Sequence, residues 1–172
     1  PHLIYAERGG EIDPDTFARL LYSALERLAV ELPRGPLSAA EAATIHQLRG
    51  AAEFRALAGE ETKIFASQGT EQTVIYEADP TFAASCLNRL VRVKPLDSLE
   101  DAVDQLRPFA RYLQTVGVEA TRERTASLAE SFGRLGASRI TGLEEMPWPS
   151  PSWHHDGQEP LRELVRWTDL EP

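Results

Sequence analysis

The chain has 172 residues, of which 42% are hydrophobic and 26% charged, and it carries a net charge of −9. That length and mixture build a globular domain with a real core. The acidic balance argues against a general nucleic-acid binder, which shows a basic patch or stripe, and against attraction to an anionic membrane surface. No apolar run approaches the roughly 18 residues of a membrane span, and the single cysteine, Cys86, cannot close an internal disulfide, so the expected location is cytoplasmic.

Residues 3–6, Leu-Ile-Tyr-Ala, read as a short buried strand, broken by Gly9-Gly10. Asp13-Pro14 is a helix start, with Asp at the N-cap and Pro at the first helical position. Phe17, Leu20, Leu21, Ala24, Leu25 and Leu28 then follow at amphipathic spacing, and Pro33 and Gly35 end the helix. Ser38 with Glu41 forms a capping box for a second helix. That helix carries Ile45, Leu48, Ala52 and, less regularly, Phe54 and Leu57, up to Gly59. Two strand-like runs, 63–66 and 73–78, flank Gln68-Gly69-Thr70 and read as a hairpin or adjacent strands. Residues 89–94 form another strand, closed by Pro95. Ser98 with Asp101 opens a short helix limited by Pro108, and 116–118 is a short strand. Thr121 caps a helix with Leu128, Phe132 and Leu135 inward, ended by Gly136. A strand at 139–141 leads into a proline-rich loop, and 160–167 is expected to be helical. Strands alternating with helices make the fold α/β, with a mostly parallel or mixed sheet.

The residues that could carry chemistry are few. Cys86 lies in the apolar run Phe82-Ala-Ala-Ser-Cys-Leu87 and reads as a structural, buried cysteine rather than a thiolate nucleophile. Glu71, Glu77 and Asp79 read as surface charge. Gly9-Gly10 is a turn, because no phosphate-loop pattern follows it. The stretch WPSPSWHHDG at 148–157 holds His154 and His155 side by side. Adjacent side chains on an extended segment point to opposite faces. A zinc site also wants three protein ligands, so no metal is expected there. A packed loop and a contact with substrate or cofactor both stay open.

Several stretches together resemble a known family. Residues 1–7 followed by Asp13-Pro-Asp-Thr-Phe-Ala18 resemble the strand and helix just after the catalytic cysteine in the aldehyde dehydrogenase superfamily. Residues 90–103, LVRVKPLDSLEDAV, resemble that superfamily's strand, proline turn and acidic helix start. Residues 73–89, and 139–167 with the WHHDG motif, are similar to LuxC-type long-chain acyl-CoA reductases. The resemblance implies a three-layer α/β/α fold. On that reading residues 1–172 are the C-terminal portion of an aldehyde-dehydrogenase-like catalytic domain, with the nucleotide-binding domain upstream. It also implies reduction of a fatty acyl thioester to an aldehyde with NADPH. No catalytic residue is then expected in this chain, because the nucleophilic cysteine falls just before Pro1. The chain, which opens on Pro1-His2 rather than Met, is accordingly expected to be an inactive fragment. Many dehydrogenases carry a glutamate that contacts the nicotinamide ribose; the matching neighbourhood, Ser85-Cys86-Leu87-Asn88, has no carboxylate, so no residue takes that cofactor-binding role. Trp153, His154 and His155 are the substrate-side candidates. The implied partners are a long-chain acyl-CoA or acyl thioester, with homo-oligomerisation or acyl-transferring subunits. The alternative from another class is a noncatalytic α/β interaction module of the same fold.

Overall fold

The computed structural model describes residues 1–159 and 161–171. The chain divides into two compact units, Pro1–Gln105 and Leu106–Pro172. No helix among the described residues is long and apolar enough to cross a membrane.

The first unit is built on a four-stranded sheet. Its elements are β1 (Leu3–Glu7), α1 (Pro14–Glu31), α2 (Ala39–Leu57), β2 (Thr62–Ala66), β3 (Thr73–Glu77), β4 (Leu90–Leu96) and α3 (Asp101–Leu106). The strand order is β1-β4-β3-β2. β1, β4 and β3 run parallel, in register Leu3↔Arg92 and Thr73↔Leu90. β2 is an antiparallel edge strand joined to β3 as the expected hairpin.

Every residue of β3 and β4 is buried, as happens when helices cover both faces of a parallel sheet. Val74, Tyr76 and Val93 point one way and pack with Ala18, Phe17, Leu21 and Leu25 of α1. Ile75 and Leu90 point the other way and pack with Ile45, Leu48 and Ala52 of α2. The unit is therefore three-layered, α/β/α.

The helix starts fall where the caps predict them. Pro14 occupies the first turn of α1 behind Asp13, whose side chain makes no cap hydrogen bond. Ser38 and Glu41 form the full reciprocal capping box of α2. The buried stripes differ from expectation. Leu20 and Leu28 of α1 are exposed, and so, at 74% and 87%, are Phe54 and Leu57 of α2. The α2 stripe is Ile45, Leu48, Arg49 and Ala52, an i, i+3, i+4, i+7 set in which an arginine takes a core position.

Pro95 does not close β4; the strand continues to Leu96. The ladder to β3 ends at Tyr76↔Val93, so the proline's missing N–H breaks no bond on that side.

The second unit contains a 3₁₀ turn (Arg107–Tyr112), β5 (Thr115–Gly117), α4 (Arg122–Leu135) and β6 (Arg139–Thr141). β5 and β6 are parallel, with α4 as their crossover. Thr121 caps α4 through the Arg124 N–H, and Leu128 and Phe132 form its buried face. Gly136 ends the helix at φ +123, and a Cβ there would stand 3.2 Å from the Ala110 carbonyl. A side chain would thus meet both backbone strain and a fixed carbonyl. The helix expected over 160–167 is reduced to one 3₁₀ turn, Arg162–Leu164; Pro160 lies outside the described residues.

Candidate functional site

The α2-facing side of the sheet changes character along the strands. It begins apolar, with Ile75 and Leu90, and ends charged. Glu77 closes β3 at 6% exposure, beside Arg92 and Lys94 of β4. Arg92 Nη1 donates to both Glu77 oxygens, at 2.8 and 2.7 Å. Lys94 Nζ lies 3.3 Å from Oε2, and Arg55 of α2 donates to Oε1 at 2.5 Å. Burial pushes the Glu77 carboxyl up. The Arg92 hydrogen bond and the charges of Arg92, Lys94 and Arg55 outweigh it and hold the group below the usual carboxylate range.

This cluster corrects the expectation that Glu77 is surface charge; Glu71 and Asp79 are exposed, as expected. The sequence carries only part of the signal: Arg92 and Lys94 stand two apart in a strand whose other positions are apolar, so both charges share one face, and strand pairing decides that this face is buried against an acid.

The cluster floors a cleft of about 550 Å³ that is also lined by Glu60, Glu61, Thr62, Thr81 and Phe82. It lies at the carboxyl end of β3, where open α/β sheets characteristically bind ligands. Tyr5 Oη donates to the Pro80 carbonyl. Its burial, with the Asp79 charge adding to it, raises the phenol to about 12 and keeps it a donor.

Cys86 is half-buried against the Ile45–Ile75–Leu90 cluster. Burial raises its thiol pKa, against a smaller opposing pull from the Arg92 charge. Iodoacetamide is expected to alkylate Cys86 roughly tenfold more slowly than a free thiol at neutral pH, as read by mass spectrometry. Alkylation at the free-thiol rate would show a reactive thiolate instead.

In the second unit the motif at 148–157 is a loop with a turned tip, exposed except at Trp153. Asp156 (φ +51) and Gly157 (φ +75) make a two-residue turn between the bridged pair His155 and Gln158, the Asp-Gly signature of a type I′ hairpin. Trp153 sits half-buried between the His155 ring at 4.8 Å and the Arg139 guanidinium at 5.6 Å. Gln114 Nε2 donates to Asp156 at 2.6 Å. His155 Nδ1 stands 3.1 Å from the other Asp156 oxygen. His154 instead lines an open cleft of about 750 Å³ with Leu161, Arg162, Val165 and Trp167. The two histidines thus have separate surroundings. Among the described residues, no group of three or more His, Cys, Asp or Glu side chains is placed to hold a metal.

A family model, acyl-CoA reductase (LuxC), matches residues 1–167. The chain belongs to the LuxC acyl-CoA reductase family. No curated protein sequence matches it. Within this LuxC-family chain, the charged cleft behind Glu77 and the cleft beside the Trp153 loop both bring polar side chains to open space.

Proposed function

We propose that this chain contributes the C-terminal portion of the catalytic domain of an NADPH-dependent reductase that turns a fatty acyl thioester into an aldehyde. The match to the acyl-CoA reductase family over residues 1–167 carries the reading. In it, a cysteine just before Pro1 attacks the thioester carbonyl, expels the thiol and holds the acyl group. Cys86 is given no part: it packs half-buried against the Ile45–Ile75–Leu90 cluster and does not match that nucleophile in position. A bound reduced nicotinamide supplies hydride to that acyl group.

The charged cleft fits the hydroxyl-rich portion of such a nucleotide better than a free phosphate. Its four carboxylates, Glu60, Glu61, Glu77 and Asp79, offset its three cations, Arg55, Arg92 and Lys94. Arg55, which reaches solvent, would donate there, and the rim carboxylates Glu60 and Glu61 would accept. Trp153 and His154 are the substrate-side pair in the second unit, and His155 braces the Trp153 ring.

The test is NADPH oxidation with a long-chain acyl-CoA. The enzyme with its upstream sequence is expected to turn over, and the 172-residue chain alone is not. Sustained turnover by the chain alone would overturn the upstream nucleophile. Replacing His154 and His155 singly with Ala in the longer enzyme should lower kcat/KM for His154→Ala by about tenfold, the loss of one hydrogen bond in the reacting complex, and less for His155→Ala. An unchanged kcat/KM in both variants would return the loop to packing alone.

A further inference from the structure

Residues 78–89 join the parallel strands β3 and β4 without a helix. A parallel connection is usually a helix, fastened to its sheet by an apolar stripe. Here, between Ala78 and Cys86, the fasteners are polar. Tyr5 Oη donates to the Pro80 carbonyl at 3.0 Å and Lys94 Nζ to the Asp79 carbonyl at 2.7 Å. Arg92 Nε donates to the Ala84 carbonyl at 3.2 Å, and His2 Nδ1 lies 3.1 Å from the Ser85 carbonyl. Four side chains from β1, its entry and β4 therefore hold four backbone carbonyls of the crossover.

The far end is a turn of three successive left-handed residues, Leu87, Asn88 and Arg89, at φ 62, 51 and 63. Asn adopts this conformation readily, but Leu and Arg do so only when their surroundings hold them there. The constraint comes from the α1–α2 side: Arg34 donates to the Asn88 carbonyl, and Arg89 donates to the Leu32 carbonyl. The near end walls the charged cleft through Thr81, Phe82 and Ala83. Arg92 and Lys94 touch both parts, each binding Glu77 and a crossover carbonyl.

We propose that residues 78–86 are a strap that opens and closes over the Glu77 cleft as a unit, with Arg92 and Lys94 as the positioning residues that tie strap and carboxylate together. Opening the strap breaks a few polar contacts and, at its two ends, the packing of Ala78 and Cys86 against the core. Opening β3 or β4 would expose Val74, Ile75 and Val93, all fully buried. Segments held by few apolar contacts are the ones that open below the global unfolding threshold. The closed strap sets the cleft's shape, so its positioning residues act on ligand binding more than on the chemical step. That kinetic consequence rests on the proposed reductase activity; the motion itself does not.

Hydrogen exchange by mass spectrometry on the longer enzyme tests the motion. Amides of 79–86 are expected to exchange at least about tenfold faster than those of β3 and β4. Lys94→Met should speed them roughly tenfold again, the effect of losing one hydrogen bond to a charged donor, and Lys94→Arg should restore them. With acyl-CoA and NADPH, Lys94→Met should raise KM more than it lowers kcat, and Lys94→Arg should reverse the change. Protection of 79–86 equal to that of β3 and β4 would overturn the strap. Faster exchange throughout both strands in Lys94→Met would overturn it too. If Lys94→Met does not fold, Tyr5→Phe removes one fastener and is read the same way. Absent turnover in the wild-type enzyme would sink the reductase reading and leave the exchange result to decide the strap.

Discussion

Replacing Glu77 with Leu is expected to lower the unfolding free energy by about 3–5 kcal/mol, because it leaves buried cations without their acid. Arg92 and Lys94 are both almost fully covered, and their charges are neutralised chiefly by this one carboxylate. Arg55 also loses its 2.5 Å partner but reaches solvent and Glu60. Glu77→Gln keeps the shape and one accepting oxygen but removes the charge and turns the other oxygen into a donor facing Arg92 and its neighbours, so it should cost less than Leu and more than a surface substitution. Urea unfolding with unchanged m-value reads both. The pH dependence separates charge from packing. Glu77 is held below the usual carboxylate range when folded, so its contribution is fully present above the unfolded pKa of about 4.3. It is lost as pH falls through the lower folded value. The carboxylates Asp15, Glu41, Glu71 and Asp79 are lowered as well. They are present in both proteins, so the gap between wild type and Glu77→Gln isolates Glu77. That gap should narrow on acidification; a gap constant with pH would mean the cost is one of packing.

The elements were legible where their signals are local. The Ser38–Glu41 box, the Thr121 cap and the Gly136 stop depend on residues within one helical turn, and each is formed. The β2–β3 hairpin is likewise a neighbour effect. What the sequence hid is what distance decides. Strand order β1-β4-β3-β2 places β1 beside a strand some ninety residues later, and nothing in β1 alone selects that partner. The charges of β4 alternate with apolar residues, a pattern that ordinarily marks one solvent face. Here the charged face is covered by the crossover 78–89, whose irregular path has no periodic signature. The motif at 148–157 shows the same division. The Asp-Gly turn that separates the two histidines is local chemistry. Its anchors, Gln114 and Arg139, come from flanking elements of the same unit.

Arg49 gives the second large effect and explains why α2 read as irregular. It stands four residues after Ile45 and three before Ala52, in the middle of the buried stripe, so a hydrophobic pattern search finds a gap there. The guanidinium fills that gap by reaching past β3 to the β2–β3 loop. Its Nε donates to Thr73 Oγ1 at 2.8 Å, Nη1 to the carbonyls of Ser67 and Gly69 at 3.2 and 2.6 Å, and Nη2 to that of Gln72 at 3.1 Å. Burial lowers its pKa, opposed by the Glu71 charge. The planar fork is what allows one side chain to serve four acceptors at once. Arg49→Met keeps the apolar stem and removes every donor. Relief from burying a charge offsets part of the loss, and the orphaned carbonyls set the remainder, so the expected cost is about 2–4 kcal/mol. Arg49→Lys has no fork and should fall between wild type and Met. Exchange at residues 67–73 should quicken in Arg49→Met beyond what global destabilisation alone produces, because the loop loses its anchor while Ile45, Ala52 and Ile75 still hold α2 to the sheet. A Met variant within about 0.5 kcal/mol of wild type would mean that water replaces the guanidinium at those carbonyls, and that the helix is held by its apolar contacts alone.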